Sequence, residues 1–147
     1  MAKFYLAISL KMADHLSPSE RSKNMAAISS KETKPELFVR KLIYTLGYRF
    51  RVNDKNLPGK PDIVFKGRQK AIFVHGCFWH RHNNCKYASS PKTNLSFWEE
   101  KFTKNINRDK KVKSNLRLMG WQVLVVWQCE LKKPETLSKK LIKFISR

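Results

Sequence analysis

The sequence lacks several features that mark common classes of protein. It has no apolar run long enough to span a bilayer, no glycine-rich phosphate loop, no internal repeat and no low-complexity segment. Its three cysteines, one of them far from the other two, are too few for a disulfide framework. They indicate thiols that stay reduced in a cytoplasm, so a membrane-spanning protein and a disulfide-stapled secreted domain are both disfavoured.

Acidic side chains are also scarce. Asp and Glu number 11 against 31 Lys and Arg in 147 residues, which gives a net charge of +20. A polyanion is the natural partner, because neutralising phosphates releases counterions and supplies most of the non-specific affinity. A membrane surface would attract the same charge, but no basic amphipathic helix with a broad aromatic face is present. The charge therefore favours nucleic acid.

The length fits one domain with a core of its own. We expect residues 1–18 to form a flexible N-terminal extension and residues 19–147 to form a single domain. The apolar run 4–10 lacks a small-residue cleavage site, so no signal peptide is expected, and Met12 is a candidate natural start. The polar segment 13–31 fits a basic arm or a solvated tail equally well.

Hydrophobic periodicity predicts an α/β protein. Thr33 caps a first helix that Gly47 ends, and Glu36 stands at the third position after the cap. Residues 48–52 alternate like a half-buried strand, and residues 63–65 and 71–74 read as a hairpin. A long basic helix, 95–119, has Met119 as its last inward position and favours phosphate contact. The strand 121–127 is expected to be central and buried on both faces, and a last helix follows Pro134. Together these elements predict a sandwich around a mixed sheet.

The segment 73–85, FVHGCFWHRHNNC, combines ligand-type side chains in a way that a plain packing segment does not need. Cys77, His82 and Cys85 have the close spacing of structural zinc ligands, and Cys129 follows a strand end elsewhere in the chain. These four side chains would complete a tetrahedron that staples the loop to the core. His80 is the alternative to His82 as the nitrogen ligand.

A second group of side chains suggests phosphodiester hydrolysis. Asp62 and His75 are expected near the same end of neighbouring strands, and His80 follows closely. In such a site a carboxylate holds Mg²⁺, the metal polarises the phosphate, and an imidazole handles a proton near neutral pH. Purely structural roles for these residues remain an alternative at this point.

The sequence resembles the very short patch repair endonucleases, bacterial enzymes that nick DNA at T·G mismatches left by deamination of 5-methylcytosine. The matching motifs occur in family order and cover the chain from residue 19 onwards. They are RSKNM at 21–25, LPGKPD at 57–62, HGCFWH at 75–80, FWEEK at 97–101, GW at 120–121 and VWQC at 126–129. So long an ordered set is highly specific.

The resemblance implies a restriction-endonuclease-like three-layer sandwich with a central mixed sheet and a structural zinc site. It implies a Mg²⁺-dependent, strand-specific endonuclease that nicks duplex DNA beside the mismatch. Val74 stands where the family has a threonine, so its backbone carbonyl would have to contact Mg²⁺. The resemblance implies that Asp62 binds Mg²⁺ and that Glu36 orients metal-bound water. It implies that His80 is the base and that His75 lies near the phosphate or leaving group. The implied zinc ligands are Cys77, His82, Cys85 and Cys129.

The resemblance also implies an aromatic wedge of Phe78, Trp79 and Trp98 that enters the duplex beside the mismatch. Apart from the resemblance, the position of Trp98 on the long helix favours an ordinary core residue. The arm residues expected to contact DNA are Arg21, Lys23 and Asn24. We expect a monomer acting on duplex DNA, with mismatch-repair proteins as possible further partners. The alternatives are a restriction-type nuclease of the same fold and a zinc-stabilised DNA-binding module without hydrolysis.

Overall fold

The computed structural model describes residues 17–20 and 32–147. Two predictions fall outside the described residues. They concern residues 1–16 of the predicted extension and the arm residues Arg21, Lys23 and Asn24. Within the described part, no helix has the length and apolar character needed to cross a membrane.

The first helix, α1, spans Lys34–Thr45 and begins as the sequence predicts. Thr33 Oγ1 accepts a hydrogen bond from the Glu36 amide at 3.4 Å, and a proline lies in the first turn. The helix ends in a Schellman motif: Gly47, at φ +95°, donates to Tyr44 O, and Tyr48 donates to Ile43 O. Because the left-handed conformation at this position favours glycine, the end of α1 is fixed by the sequence.

Four strands form one mixed sheet in the order β1-β2-β3-β4. They are β1 Arg51–Val52, β2 Ile63–Phe65, β3 Lys70–His75 and β4 Gln122–Trp127. The pairs β1–β2 and β2–β3 are antiparallel, whereas β3 and β4 run parallel. A short 3₁₀ turn, Lys66–Arg68, joins β2 to β3. The predicted hairpin and mixed sheet are confirmed, but only two residues of the predicted strand 48–52 join the sheet.

Helices cover both faces of the sheet. On one face, α1 and the last helix, α3 Pro134–Ser146, pack on the sheet through a buried cluster of Val39, Ile43, Ile63, Phe65, Ile72, Val126, Leu137, Leu141 and Ile145. On the other face, the long helix α2 Leu95–Leu118 contributes Leu116 to a second cluster that contains Leu57, Val64 and Phe73. Because both faces bury apolar side chains, the α/β fold class is confirmed.

The prediction that the strand 121–127 is central is wrong. Strand β4 lies at the edge of the described sheet, and Val126 is its only fully buried residue. The apolar sequence of β4 suggested a central strand because packed elements cover both of its faces. The strand nevertheless has a hydrogen-bonded neighbour along one edge alone. Two side chains satisfy its unpaired edge: Lys140 Nζ donates to Val125 O, and Glu130 Oε2 accepts from the Trp127 amide.

The prediction that Met119 points inward is also wrong, since half of its surface is exposed. Helix α2 ends one residue earlier, at Leu118, and Gly120 turns the chain at φ +85°. Met119 therefore lies beyond the last helical turn, where the stripe of inward positions no longer applies.

The sheet gathers the predicted site at one end. Asp62 precedes the start of β2, and His75 ends the antiparallel neighbour β3. In the parallel register, His75 pairs with Trp127 at the end of β4. The turn before Asp62 lies tightly against α2, because a Cβ on Gly59 would stand 2.4 Å from Val112 Cγ1. Glycine at this position therefore lets the turn and the long helix face the same pocket.

Candidate active site and metal centre

A pocket of about 630 Å³ opens at this end of the sheet. It brings together all four predicted catalytic residues and the backbone of Val74. Basic side chains from two elements line its rim, Lys55 and Lys60 from the loop after β1, and Arg108 and Lys113 from α2. The acidic and imidazole side chains in the pocket are Glu36, Asp62, His75, His80 and Asp109.

Asp62 is a half-buried carboxylate held by the backbone of the neighbouring strand. Its Oδ2 accepts a hydrogen bond from the Val74 amide at 2.7 Å. Burial raises the pKa of Asp62 to about 6, against the lowering effect of that hydrogen bond, and the negative charge of Glu36 raises it further. A carboxyl group with this pKa takes up a proton or a cation readily.

Glu36 extends from the first turn of α1 into the same pocket and is only 5% exposed. Its Oε2 has no hydrogen-bond partner among the described residues and lies 3.6 Å from Arg40 Nη2. A buried carboxylate oxygen without a hydrogen-bond partner is unusual and needs a cation or an ordered water. Together with the nearby Asp62, this oxygen fits the donor set that Mg²⁺ prefers.

The two histidines of the pocket lie face to face. The ring centroids of His75 and His80 are 3.8 Å apart, and the ring planes differ by 6°. Burial lowers the pKa of His75 to about 3, and the charge of His80 adds to this effect. His75 therefore remains a neutral imidazole at neutral pH.

Asp109, on α2, is a site residue that the sequence analysis did not predict. Its Oδ2 lies 2.6 Å from His80 Nδ1. Burial opposes its ionisation, but the hydrogen bond and charge of His80 outweigh burial, and the pKa of Asp109 is lowered. Because an ionised carboxylate can only accept, His80 Nδ1 is the donor in this hydrogen bond.

A signal for Asp109 was present in the sequence. It is the single acidic residue between Glu100 and Glu130, and it lies seven residues from both Phe102 and Leu116. These spacings place it on the inward stripe of α2. A lone carboxylate on the inward face of a strongly basic helix is the sequence feature that indicates a site residue here.

A second cluster joins the loop after β3 to the 3₁₀ turn Gln128–Lys132. The ligand atoms of Cys77, His82, Cys85 and Cys129 all lie within 4.8 Å of one another. His82 Nδ1 is 3.6 Å from Cys77 Sγ and 3.4 Å from Cys129 Sγ. A tetrahedral zinc ion with ordinary bond lengths requires about 3.6 Å between nitrogen and sulfur ligands. The four side chains therefore fit a metal of this kind.

Two further observations concern the side chains of this cluster. Burial raises the pKa of the Cys77 thiol and of the Cys129 thiol, so without a cation both hold their protons at neutral pH. The structure groups His82 with the cysteines, whereas His80 pairs with Asp109. This grouping favours His82 as the nitrogen ligand.

Trp127 lies between the Cys77, His82, Cys85 and Cys129 cluster and the pocket. Its indole stacks on His82 with centroids 4.2 Å apart and meets His75 edge-on at 5.5 Å. The backbone of Trp127 is fixed at the same time by the hydrogen bond to Glu130. One rigid aromatic side chain thus contacts both sites.

The three aromatic residues of the predicted wedge belong to one cluster with Phe102. Phe78 and Trp98 are buried, Trp98 being only 1% exposed, whereas Trp79 is half-buried. The indole nitrogen of Trp98 is buried and has no hydrogen-bond partner among the described residues. The wedge stays a prediction, with Trp79 as the member nearest to solvent.

The comparison with known families decides the class of protein. Residues 13–86, half of the chain, match the model of the family described as DNA mismatch endonuclease Vsr. The chain belongs to the Vsr family. It is 43% identical to the DNA mismatch endonuclease Vsr of Escherichia coli K12 over 131 residues, which cover 89% of this chain and 83% of the relative. This member of the Vsr family is therefore a DNA endonuclease.

Two other relatives are described as nicking enzymes. Type II nicking enzyme V.XorIIP of Xanthomonas oryzae is 47% identical over 130 residues, which cover 88% of this chain and 95% of the relative. Type II nicking enzyme V.NmeAIP of Neisseria meningitidis is 46% identical over 134 residues, which cover 91% and 95%. The matched length shows that this Vsr-family chain corresponds to nearly the whole of each relative.

Proposed function

We propose that this Vsr-family protein is a Mg²⁺-dependent endonuclease that nicks one strand of duplex DNA beside a T·G mismatch. The observation that carries the proposal is the pocket, where two neighbouring carboxylates and a carboxylate-paired histidine face a rim of basic side chains. The names of the relatives from Xanthomonas and Neisseria support a cut in one strand.

Asp62 and Glu36 would hold the metal. Both are acidic oxygen donors in one pocket, the charge of Glu36 raises the pKa of Asp62, and Glu36 Oε2 has no hydrogen-bond partner among the described residues. The backbone carbonyl of Val74 is the third donor in this proposal. When bound, Mg²⁺ supplies charge stabilisation at the phosphate and lowers the pKa of a coordinated water.

His80 is the proton acceptor in this mechanism. Asp109 holds His80 Nδ1 as a donor, so Nε2 removes a proton from the attacking water. His75, neutral and stacked on His80, lies where it can contact the phosphate or the leaving group. The cations on the rim, Arg108 and Lys113 among them, attract the phosphodiester to the pocket.

The Cys77, His82, Cys85 and Cys129 cluster holds a structural zinc ion in this proposal. All four side chains are protein ligands, which is the arrangement of a closed, structural site. The proposed fold is the restriction-endonuclease-like three-layer sandwich, with residues 19–147 as one endonuclease domain. The zinc would fix the loop that presents His80, because His80 lies between two of the ligands in the chain.

The aromatic cluster supports recognition of a mismatch. Trp79 lies at the surface of the cluster, and its ring contacts Trp98, as does the ring of Phe97, which is 48% exposed. The unpartnered Trp98 Nε1 makes the closed cluster less favourable, since a buried donor without a partner costs about 1–3 kcal/mol. A mismatched step costs less to unstack than a paired one, which lets an apolar wedge discriminate.

The test uses duplexes labelled on each strand, one with a single T·G mismatch and one fully paired, with Mg²⁺ and with chelator. The proposal predicts one nick beside the mismatched thymine, in Mg²⁺ only. Equal cutting of both duplexes would favour a restriction-type nuclease of the same fold. Salt-sensitive binding with no product, in zinc-loaded protein, would favour a non-catalytic DNA-binding module.

A further inference from the structure

The charges of helix α2 are divided unevenly along its length. Its first part, residues 95–109, contains three acidic residues among its cations. Its second part, residues 110–118, contains four cations and no acidic residue. The local excess of positive charge is therefore concentrated in the half of the helix that follows Asp109.

The cations of the two halves also differ in their partners. In the first half, Lys104 pairs with Glu100 at 2.7 Å, Lys101 lies 5.4 Å from the ring of Trp79, and Arg108 lies 4.0 Å from Asp109. In the second half, no carboxylate of the described residues pairs with any of the four cations, which are Lys110, Lys111, Lys113 and Arg117. These four side chains keep their charge available for a partner outside the described protein.

Three of the four available cations lie on one face of the helix, and Lys111 lies about 100° away. Lys110, Lys113, Ser114 and Arg117 line a shallow groove, at the spacing i, i+3, i+4 and i+7 of a single stripe. Lys113 lines the catalytic pocket as well, so the groove adjoins that pocket. From Lys110 to Arg117 the stripe is about 10 Å long, which matches the rise of about three base pairs.

We propose that this groove binds the sugar-phosphate backbone of the duplex arm that leaves the catalytic pocket along α2. The inference rests on the proposed function, because the duplex arm is defined by the strand held in the pocket. Lys110 and Arg117 each neutralise one phosphate, Lys113 leads from the pocket to the groove, and the Ser114 hydroxyl is a further donor.

A second basic groove provides a contrast. Arg49, Arg51, Lys66 and Arg68 line it at the far end of β2, and it shares no residue with the catalytic pocket. Three of its four cations have partners within the protein. Lys66 pairs with Asp54 at 3.3 Å, and Arg68 donates to Ile145 O at 3.1 Å. The guanidinium of Arg49 lies 4.0 Å from the ring centroid of Tyr44. Similar charge is present there, but less of it is available to DNA.

A helical role is the competing explanation for Arg117. A cation in the last turn interacts favourably with the helix dipole, whether or not DNA binds. The two roles differ in what they affect. A dipole role changes the thermal stability of the protein, whereas phosphate contact changes the salt dependence of DNA binding.

The experiment compares Lys110→Gln/Arg117→Gln with the matched variant Lys104→Gln/Lys111→Gln. Both pairs lie on α2, are seven residues apart and remove two positive charges, but the second pair lies about 100° around the helix from the groove. Affinity for a labelled T·G duplex is measured without Mg²⁺ between 50 and 200 mM salt. Melting temperatures are recorded, and Lys110→Gln alone serves as a milder variant.

The groove variant should reduce the slope of log affinity against log salt by about 1.8, and Lys110→Gln alone by about 0.9. Between 50 and 200 mM salt, the wild type should lose about tenfold more affinity than the groove double variant. The matched variant should keep a slope close to wild type. Equal slopes for the two double variants would overturn the proposal, and a fall in melting temperature with no slope change would assign Arg117 to the helix alone.

Failure of this proposal is distinguishable from failure of the proposed function. The wild type is assayed in parallel for nicking in Mg²⁺. Nicking at T·G with equal slopes refutes the groove and leaves the function standing. A slope difference without nicking supports the groove and refutes the catalytic assignment.

Discussion

His80 Nδ1 lies 2.6 Å from Oδ2 of Asp109, although 29 residues separate them in the chain. Asp109→Asn removes the charge that holds His80 in the tautomer with a free Nε2. We expect the single-turnover nicking rate to fall by about 100-fold or more, with little change in duplex affinity. Glu100→Gln, which removes an exposed carboxylate from the same helix, is the control. An Asp109→Asn rate like that of the control would remove Asp109 from the mechanism.

Asp62 links stability to pH. Its folded-state pKa of about 6 is above the ordinary 3.8, so between these values the folded state binds a proton more tightly than the unfolded chain. The stability that this proton contributes is complete below pH 4 and is lost as the pH rises through 6. Without Mg²⁺, Asp62→Asn should therefore gain stability relative to wild type between pH 4 and 7, by up to about 3 kcal/mol.

Denaturant unfolding at several pH values checks this expectation, with both proteins prepared at the same metal content at each pH. Asp54→Asn is the control of opposite sign, because hydrogen bonding by the Asn56 amide lowers the pKa of Asp54. A stability difference between Asp62→Asn and wild type that does not change with pH would contradict the raised pKa.

Replacing His80 and replacing His82 should affect different sites, the proposed catalytic pocket and the proposed metal centre. His82→Ala removes a ligand and should leave less than one equivalent of bound zinc, with a melting temperature lower by about 10 °C or more. His80→Ala should retain one equivalent of zinc and lose nicking. Elemental analysis of both purified variants decides the question, and the reverse pattern would make His80 the ligand.

Much of the site follows from local sequence. The spacing of Cys77, His82 and Cys85 keeps these three side chains within one loop, and the antiparallel hairpin requires Asp62 and His75 to lie at the same end of β2 and β3. Asp109 was not predicted because its place in the pocket depends on how α2 crosses the sheet. That crossing is set by long-range packing, including the contact between Gly59 and Val112.

The edge position of β4 was missed for a similar reason. An apolar strand is covered on both faces whether it is central or terminal, and strand order is decided by pairing between distant segments. The roles of Lys140 and Glu130 at that edge also depend on tertiary structure, since Lys140 reaches β4 from α3. Periodicity reports burial and does not report strand order.

Replacing Trp98 and replacing Trp79 should have different effects on protein stability and on the preference for a mismatched duplex. Trp98→Ala should lower the free energy of unfolding by about 3–5 kcal/mol, because Trp98 is fully buried. Trp79→Ala should cost much less stability but should reduce the preference for a T·G duplex over a paired one. Tyr44→Ala removes an exposed aromatic ring from α1 as the control. An unchanged preference in Trp79→Ala would exclude Trp79 from the wedge.

The most direct test of the account asks whether the pocket around Asp62 cuts DNA. Single-turnover nicking and duplex binding are measured together for wild type and Asp62→Asn, on a strand-labelled T·G duplex in Mg²⁺. The account predicts that Asp62→Asn binds the duplex with near wild-type affinity and forms no nick above the background without Mg²⁺. Nicking by Asp62→Asn at the wild-type rate would contradict it and place the catalytic centre elsewhere.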